Sequence, residues 1–287
     1  MSLGIIGSKP FFFQLLMSGQ FFEYNGTTLH FSKSGIGPKV LLAFHGFGQD
    51  YRAFEILTRS LHDHCTIFCF DIFFHGKSAW NKREVALEKS FWKILLTEFL
   101  RLNRIERFNL LGFSMGGKFV LASLEIFPEK IDHVFLLAPD GIKTNLWYNL
   151  ATYPTILRGL FKSMISKPNR FKNIANLAFK AGIIDKGVLR FVEFQMNTEQ
   201  KRNQVYYSWV VFRHLKFNMN DVASIINLNK INLTIVVGKH DQIITPMNMN
   251  RLLKRLKNYQ LEIAKAGHTG IIAASAKLIT EAFKGID

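Results

Sequence analysis

The sequence is poor in cysteine, with only Cys65 and Cys69 among its 287 residues. Both lie in the apolar run CTIFCFDIFF, which is typical of a strand, and a four-residue step along a strand covers about 13 Å. A disulfide requires Cα atoms within about 7 Å of each other, so both thiols are expected to stay reduced. The sequence therefore excludes a disulfide-stapled secreted domain and predicts a cytoplasmic protein.

Long apolar runs are also missing, because no stretch reaches the roughly 18 consecutive apolar residues that indicate a transmembrane helix. The N-terminal segment MSLGIIGSKPFFFQLLMSGQ is apolar, but Lys9-Pro10 interrupts it. It carries neither a basic beginning nor a small-residue cleavage motif, so we expect no signal peptide and no stable membrane insertion. Hydrophobic residues still make up 48% of the chain, which predicts a large core and excludes intrinsic disorder.

Acidic residues are scarce relative to basic ones, with 21 Asp and Glu against 37 Lys and Arg and a formal net charge of +16. Such an excess is compatible with nucleic acid, a membrane surface or an acidic substrate. The sequence contains no RRM-, KH- or zinc-type signature, so a nucleic-acid partner is not predicted.

Short apolar runs alternate with longer amphipathic segments along most of the chain. Asn25-Gly26 separates the first two runs and predicts a hairpin. Alternating strands and helices, with strands apolar throughout, predict a mostly parallel sheet covered on both faces. The predicted strands are 20–24, 27–32, 39–44, 66–71, 107–113, 133–138, 233–238 and 260–264, and the predicted helices are 50–61, 84–102, 115–127, 222–228, 247–256 and 275–283.

The alternation stops between residues 142 and 216, where the pattern is helical and contains no clear strand. We therefore predict an α/β domain formed by residues 1–141 and 217–287. Residues 142–216 are predicted to form a helical cap inserted after the sixth strand.

Gly112-Phe113-Ser114-Met115-Gly116 matches G-x-S-x-G, the pattern of a nucleophile elbow. This copy follows a predicted strand and opens a predicted helix, as the motif requires. Ser114 is therefore the candidate nucleophile. A serine hydroxyl is a weak nucleophile, so it needs a histidine base that an acid orients.

His268 is the best-placed base, because it lies on a short glycine-flanked loop after the last predicted strand. Asp241 follows the preceding strand and is favoured as the acid over Asp140, which remains the competitor. The resulting order Ser114, Asp241, His268 is that of α/β-hydrolases and differs from the orders of chymotrypsin and subtilisin.

Five local motifs together resemble the α/β-hydrolase superfamily, in its branch of small capped esterases and carbon–carbon bond hydrolases. Besides the elbow, they are the turn 45–48 (HGFG), the segment 71–78 (DIFFHGKS), the segment 238–241 (GKHD) followed by Pro246, and the segment 266–268 (AGH). The segment 71–78 departs from the family pattern D-x-x-G-x-G-x-S. Phe74 and His75 stand where that pattern has its first glycine and the residue after it. The resemblance covers nearly the whole chain.

The resemblance implies a Ser-His-Asp serine hydrolase that cleaves a carboxylic ester through an acyl-enzyme. The backbone N–H groups of Phe47 and Met115 would form the oxyanion hole. No cofactor and no metal are implied, and His240 beside Asp241 makes poor zinc spacing. His45 is expected to brace the oxyanion turn, His75 to be a loop residue and Asp71 to stabilise a turn.

Enzymes that hydrolyse thioesters or carbon–carbon bonds use the same set of catalytic residues, so these two reactions remain alternatives to ester hydrolysis. A third alternative is a binding protein that has the hydrolase fold but does not use its triad.

The predicted cap carries 13 Lys and Arg against three acids, so it holds most of the excess positive charge. In one interpretation its aromatic residues pack on the sheet domain while its cations face water. In the other, an apolar acyl pocket lies beneath a cationic rim that attracts an anionic or lipid-like acyl substrate.

Overall fold

The computed structural model describes residues 19–143, 146–184 and 186–284. Their strands form one sheet in the order β1-β2-β4-β3-β6-β7-β8-β9, with the short β5 paired to β2. The pairs from β4 through β9 are parallel, whereas β1, β2 and β5 join antiparallel. The strands are β1 Gly19–Tyr24, β2 Thr27–Ser34, β3 Lys39–Phe44, β4 Cys65–Phe70, β5 Ala79–Trp80, β6 Phe108–Phe113, β7 Ile131–Leu137, β8 Asn232–Gly238 and β9 Gln260–Ala264.

Helices lie between successive parallel strands, and in the described part of the chain six of them follow one another between β7 and β8. In chain order, the α-helices are α1 Glu55–Ser60, α2 Lys89–Leu102, α3 Gly116–Ile126, α4 Leu146–Thr152, α5 Thr155–Ser166, α6 Pro168–Lys180, α7 Lys186–Gln195, α8 Glu199–Val211, α9 Met219–Leu228, α10 Pro246–Leu253 and α11 Ile271–Lys284. The mostly parallel sheet with flanking helices is the architecture predicted from the sequence.

Several bounds differ from the sequence prediction, and two of the differences have a structural cause. Helix α2 begins at Lys89 and not at Glu84, because the backbone N–H of Leu87 donates to the carbonyl of Val211 at 2.8 Å and the Leu87 side chain is buried. A non-local hydrogen bond thus holds the preceding residues out of the helix. Strand β5 was not predicted, so helices α4–α8 follow the seventh strand and not the sixth.

The apolar side chains form two clusters. The larger one fills both sides of the sheet, and Phe44, Phe99 and Phe119 are among its fully buried rings. The smaller one lies within helices α4–α8 and contains Phe161, Met164, Met196, Val205, Tyr206 and Val210.

The carboxyl ends of the parallel strands lie at one edge of the sheet, as parallel pairing requires. His45, Ser114 and Asp241 follow β3, β6 and β8, and His268 follows β9. This edge is where ligands bind in open α/β sheets, so it is the natural position for a site.

Cys65 and Cys69 lie on strand β4, and both thiols are free and buried. Burial raises the pKa of both, and that of Cys65 reaches about 12. Among the described residues, no helix combines the length and the apolar character needed to cross a bilayer.

Candidate active site

Ser114 occupies a sharp turn between strand β6 and helix α3. Its φ of 50° lies in the left-handed region, which non-glycine residues rarely adopt. The turn is held by hydrogen bonds on both sides, because the Ser114 N–H donates to the carbonyl of Leu137 at 2.9 Å and its carbonyl accepts from Gly117 and Asp140. The surrounding structure therefore maintains a strained backbone at the predicted nucleophile.

The glycines of the motif are required by close contacts around this turn. A Cβ at Gly116 would lie 1.9 Å from the carbonyl oxygen of Phe44, and a Cβ at Gly112 would lie 2.7 Å from Cγ2 of Val120. The first contact is with the backbone at the end of β3, which cannot rotate away. Helix α3 can therefore approach the sheet closely only because both positions lack a side chain.

The three predicted triad residues lie within hydrogen-bonding distance of one another. The Ser114 hydroxyl lies 3.0 Å from Nε2 of His268, and Nδ1 of His268 lies 2.6 Å from Oδ2 of Asp241. With Nδ1–H donating to the carboxylate, Nε2 is free to accept from Ser114. The geometry is that of a serine, an adjacent base and an orienting acid.

Two loops bring the acid and the base together. Asp241 lies three residues beyond β8 and His268 four residues beyond β9. The N–H of His240 donates to the carbonyl of Ala266 at 3.1 Å, and that of Lys239 to Ala264 at 2.8 Å. These bonds continue the pairing of β8 and β9 past the ends of the strands and fix the separation of the two side chains.

The Asp241 carboxylate is fully buried and has a hydrogen bond on each oxygen. Oδ1 accepts from the N–H groups of Ile243 at 2.8 Å and Ile244 at 3.0 Å, while Oδ2 faces His268. Burial by itself would raise the pKa of Asp241, but these hydrogen bonds together lower it below its ordinary value. The carboxylate is therefore stable in its charged form beside His268.

Asp140, the competing acid, has a different partner. Its Oδ2 lies 3.3 Å from Nζ of Lys118, and its Oδ1 accepts from the N–H of Gly141 at 2.7 Å. Lys118 is buried and its ammonium also lies over the ring of Tyr148, 4.1 Å from the centroid. Asp140 thus neutralises a buried lysine, whereas Asp241 faces the histidine.

The turn after β3 contains the predicted oxyanion residue Phe47. Nδ1–H of His45 donates to the Gly46 carbonyl at 2.7 Å, and its Nε2 accepts from the N–H of Ile72 at 3.0 Å. These two bonds require the neutral imidazole, and burial lowers the pKa of His45, which favours that form. Within the described part of the chain, the N–H groups of Phe47 and Met115 donate to no hydrogen-bond acceptor.

His75 lies in the loop after β4, as predicted, and its side chain is fully buried against this turn. Its ring lies 5.4 Å from that of His45 and meets Phe47 edge-on at 5.1 Å. Burial lowers the pKa of His75 to about 3. The neutral ring therefore supports Phe47 from below by apolar contact.

Asp71 stabilises the neighbouring turn, with hydrogen bonds from the N–H groups of Tyr51 and Lys77 at 2.8 Å each. Its Oδ2 also lies 2.7 Å from Nδ1 of buried His30. This network is separate from the His268–Asp241 pair.

Two contacts at the site were not predicted. The ring of Phe113 lies 5.0 Å from that of His268, and the side-chain amide of Gln195 lies next to Gly48, where a Cβ would be 3.6 Å away. Gln195 ends helix α7, more than 140 positions along the chain from Gly48. No local sequence signal marks contacts of this kind.

Among the described residues, no three His, Cys, Asp or Glu side chains are grouped so that they could hold a metal ion. The arrangement around Ser114 has the groups required for nucleophilic attack and proton transfer by side chains alone.

A family model for the α/β-hydrolase fold matches residues 39–274, which is most of the sequence. The chain therefore belongs to the α/β-hydrolase fold family.

Curated relatives are similar at low identity. An uncharacterised Mycobacterium tuberculosis protein is 26% identical over 47% of this chain, and the match spans only 39% of that protein's length. A Haemophilus influenzae protein provisionally named an esterase/lipase is 22% identical over 80% of this chain and 76% of its own. The uncharacterised hydrolase YugF of Bacillus subtilis is 25% identical over 81% of this chain and 84% of its own.

The fold is similar to that of solved hydrolases. A serine hydrolase from the polyaromatic-hydrocarbon-degrading bacterium Cycloclasticus zankles superimposes with a TM-score of 0.68 at 17% identity, covering 94% of this chain and 99% of its own. At this identity the similarity concerns the fold alone.

Proposed function

We propose that the protein is a serine hydrolase that cleaves carboxylic esters through a Ser114-His268-Asp241 triad. The observation that carries the proposal is the continuous hydrogen-bonded chain from the Ser114 hydroxyl through both nitrogens of His268 to the buried Asp241 carboxylate. Ser114 stands at a positive φ at the carboxyl end of the central strands, where a substrate can approach it.

In the first half-reaction, Ser114 Oγ attacks the ester carbonyl carbon while His268 Nε2 accepts the hydroxyl proton. Collapse of the tetrahedral intermediate breaks the bond to the alkoxy leaving group, which takes that proton from His268. In the second half-reaction, water attacks the acyl-enzyme and gives its proton to His268. The serine then leaves with that proton, and the free acid is released.

The N–H groups of Phe47 and Met115 are the proposed donors to the oxyanion. Both lack an acceptor among the described residues, and Met115 directly precedes helix α3, whose positive dipole end favours developing negative charge. His45 and His75 would keep Phe47 in place, the first by its two hydrogen bonds and the second by ring contact.

The residues 142–216 are proposed to be a cap over this site, with 1–141 and 217–287 as the hydrolase core. Two contacts support this proposal. Phe47 packs against the cluster that contains Phe161 and Met164 of helix α5, and Gln195 reaches Gly48 in the same turn. An apolar acyl group would then be enclosed between the turn and the cap helices.

Labelling with a fluorophosphonate tests the nucleophile directly. The probe should modify the wild-type protein stoichiometrically, and Ser114→Ala should abolish labelling because no other serine faces His268 in the described structure. Ser166→Ala is the matched control, since Ser166 is exposed at the end of helix α5 and should label normally. Unlabelled wild-type protein, or labelling that survives Ser114→Ala, would contradict the proposal.

The acyl group and the leaving group are tested by p-nitrophenyl esters of increasing acyl length beside acyl-CoA thioesters. The proposal predicts higher kcat/KM for the esters. A preference for the thioesters, with labelling of Ser114 intact, would keep the triad and change the substrate class.

A further inference from the structure

Helices α5 and α6 present large aliphatic side chains to the surface. Ile156 and Leu177 are 87% and 68% exposed, and Leu160 and Ile174 are also exposed. Single exposed aliphatic residues are common on protein surfaces, but four on two consecutive helices form a patch that needs a reason.

The four side chains share one surface, defined here as the α5–α6 face. On α5, Ile156 and Leu160 are four residues apart, and Ser163 follows on the same side. On α6, Arg170 precedes Ile174 and Leu177 at steps of four and three. The Arg170 guanidinium donates to Ser163 Oγ at 2.9 Å, so the two helical faces adjoin.

The inner side of α5 is packed. Phe161 and Met164 lie in the smaller apolar cluster together with Tyr206 and Val210 of helix α8. Helix α5 is therefore apolar on two sides, and only the inner one has a partner in the described structure. A helix of this kind is suited to bind a second apolar medium with its outer side.

The segment that carries the α5–α6 face holds charges of one sign, and Lys162 of α5 pairs with Glu84 from outside this segment. Residues 141–184 contain seven Lys and Arg and no Asp or Glu. Lys167 follows Ser163 by four residues and Lys180 follows Leu177 by three, and both are exposed. The face is thus an aliphatic patch bordered by cations.

We propose that the α5–α6 face docks on the surface of an anionic lipid bilayer. The aliphatic side chains would enter the boundary between head groups and acyl chains, while Lys167, Arg170 and Lys180 would contact lipid phosphates. The helices would lie in the plane of the interface, which needs no spanning helix.

The charge pattern favours an anionic bilayer over a second copy of the chain or a protein partner with individual carboxylates. A second copy of the chain would bring the same cations against themselves, which opposes self-association through this face. Five of the seven cations are lysines, which act as point charges suited to a diffuse anionic surface and lack the planar fork that pairs with individual carboxylates.

Co-sedimentation of the full-length protein with vesicles tests the proposal. The protein should bind vesicles of phosphatidylcholine mixed with phosphatidylserine, bind vesicles of phosphatidylcholine alone weakly, and dissociate at high salt. Failure of the wild-type protein to bind the mixed vesicles at low salt would overturn the proposal, whatever the variants do.

Two pairs of substitutions locate the contact. Lys167→Glu with Lys180→Glu should weaken binding by at least about 25-fold, because each basic residue near an anionic surface strengthens binding about fivefold and each new carboxylate is repelled by it. Ile156→Ser with Leu177→Ser should weaken it about tenfold or more by removing buried aliphatic area.

Matched control substitutions lie outside residues 142–216. Lys254→Glu with Lys257→Glu changes the net charge equally, and Leu228→Ser with Met247→Ser removes side chains that are 81% and 78% exposed. Both control pairs should bind like the wild type.

The outcomes are distinct. Equal loss in the α5–α6 and control variants would mean attraction by net charge alone and would overturn the docking face. A change of oligomeric state in the α5–α6 variants without vesicle binding would identify a second copy as the occupant and likewise overturn it. Fluorophosphonate labelling of Ser114 should be unchanged in all four variants, so docking and catalysis are tested separately.

Discussion

Asp241→Asn gives the sharpest test of the proposed triad, because the structure determines how the asparagine must sit. Oδ1 of Asp241 accepts two backbone N–H groups, those of Ile243 and Ile244. Only the amide oxygen of asparagine can accept them, so the amide NH2 must take the place of Oδ2 and face Nδ1 of His268.

This orientation places the amide NH2 of the asparagine, a donor, against the Nδ1–H of His268, which is also a donor. His268 can relieve the conflict by moving its proton to Nε2, but Nε2 then cannot accept the proton of Ser114. A wrong tautomer of this kind costs about 10⁴-fold in rate, which is about 5.5 kcal/mol of transition-state stabilisation. We therefore expect kcat/KM of Asp241→Asn for p-nitrophenyl butyrate, and its fluorophosphonate labelling rate, to fall by about this factor.

Asp140→Asn is the matched control, because it removes the same charge from the other candidate acid. Asp140 pairs with buried Lys118 and does not contact His268, so its replacement should change kcat/KM less than about fivefold, while the loss of a partner for a buried ammonium should lower the free energy of unfolding. The midpoint of urea unfolding should confirm that both variants fold. Activity of Asp241→Asn within tenfold of wild type, or a larger loss in Asp140→Asn, would refute the assignment of the acid.

Two further predictions concern stability. Gly116→Ala should lower the free energy of unfolding by about 1–3 kcal/mol or more, since its Cβ would meet the Phe44 carbonyl at 1.9 Å. Gly159→Ala is the control, because a Cβ there meets nothing within 4 Å, and it should raise the free energy of unfolding by about 0.5–1 kcal/mol. Urea unfolding measures both changes. Burial lowers the pKa of His133 to about 4. The unfolded chain therefore takes up a proton below pH 6.5 that the folded chain takes up only near pH 4, and stability falls in that window. At pH 5 the loss is about 2 kcal/mol. His133→Gln should remove that part of the pH dependence, and an unchanged slope between pH 7 and pH 5 would contradict it.

Local signals in the sequence predicted the elements whose geometry is set by neighbouring residues. Asn25-Gly26 adopts positive φ at both positions between β1 and β2, as the hairpin prediction requires. Ser114, Asp241 and His268 were predicted in the same way, because each sits in a turn whose glycines or strand end are visible in the sequence. The structure brings these three side chains within hydrogen-bonding distance.

Features that depend on distant contacts were not predictable. The start of α2 depends on the hydrogen bond from Leu87 to Val211, and β5 exists because Trp80 pairs with Thr27. The contact of Gln195 with Gly48 depends on how α7 is placed against the turn. Hydrophobic periodicity reports which face of an element is buried, but it does not report which distant residue covers that face.

Helix α5 takes part in both proposals, ester hydrolysis at Ser114 and docking of the α5–α6 face on a bilayer. Different side chains of the helix serve each, so the two can be tested separately. Its inner residue Phe161 belongs to the cluster against which Phe47 packs, and its outer residue Ile156 is 87% exposed. An α-helix with its side chains is about 10 Å across, so a bilayer on the outer side and the proposed oxyanion turn on the inner side would act on one rigid element. Replacing outer side chains removes docking contacts without altering the packing around Phe47, whereas replacing inner ones disturbs the turn directly. Docking therefore need not change the intrinsic chemistry of Ser114. Its effect would be to place the proposed cap, and any acyl substrate held in the bilayer, at the same surface.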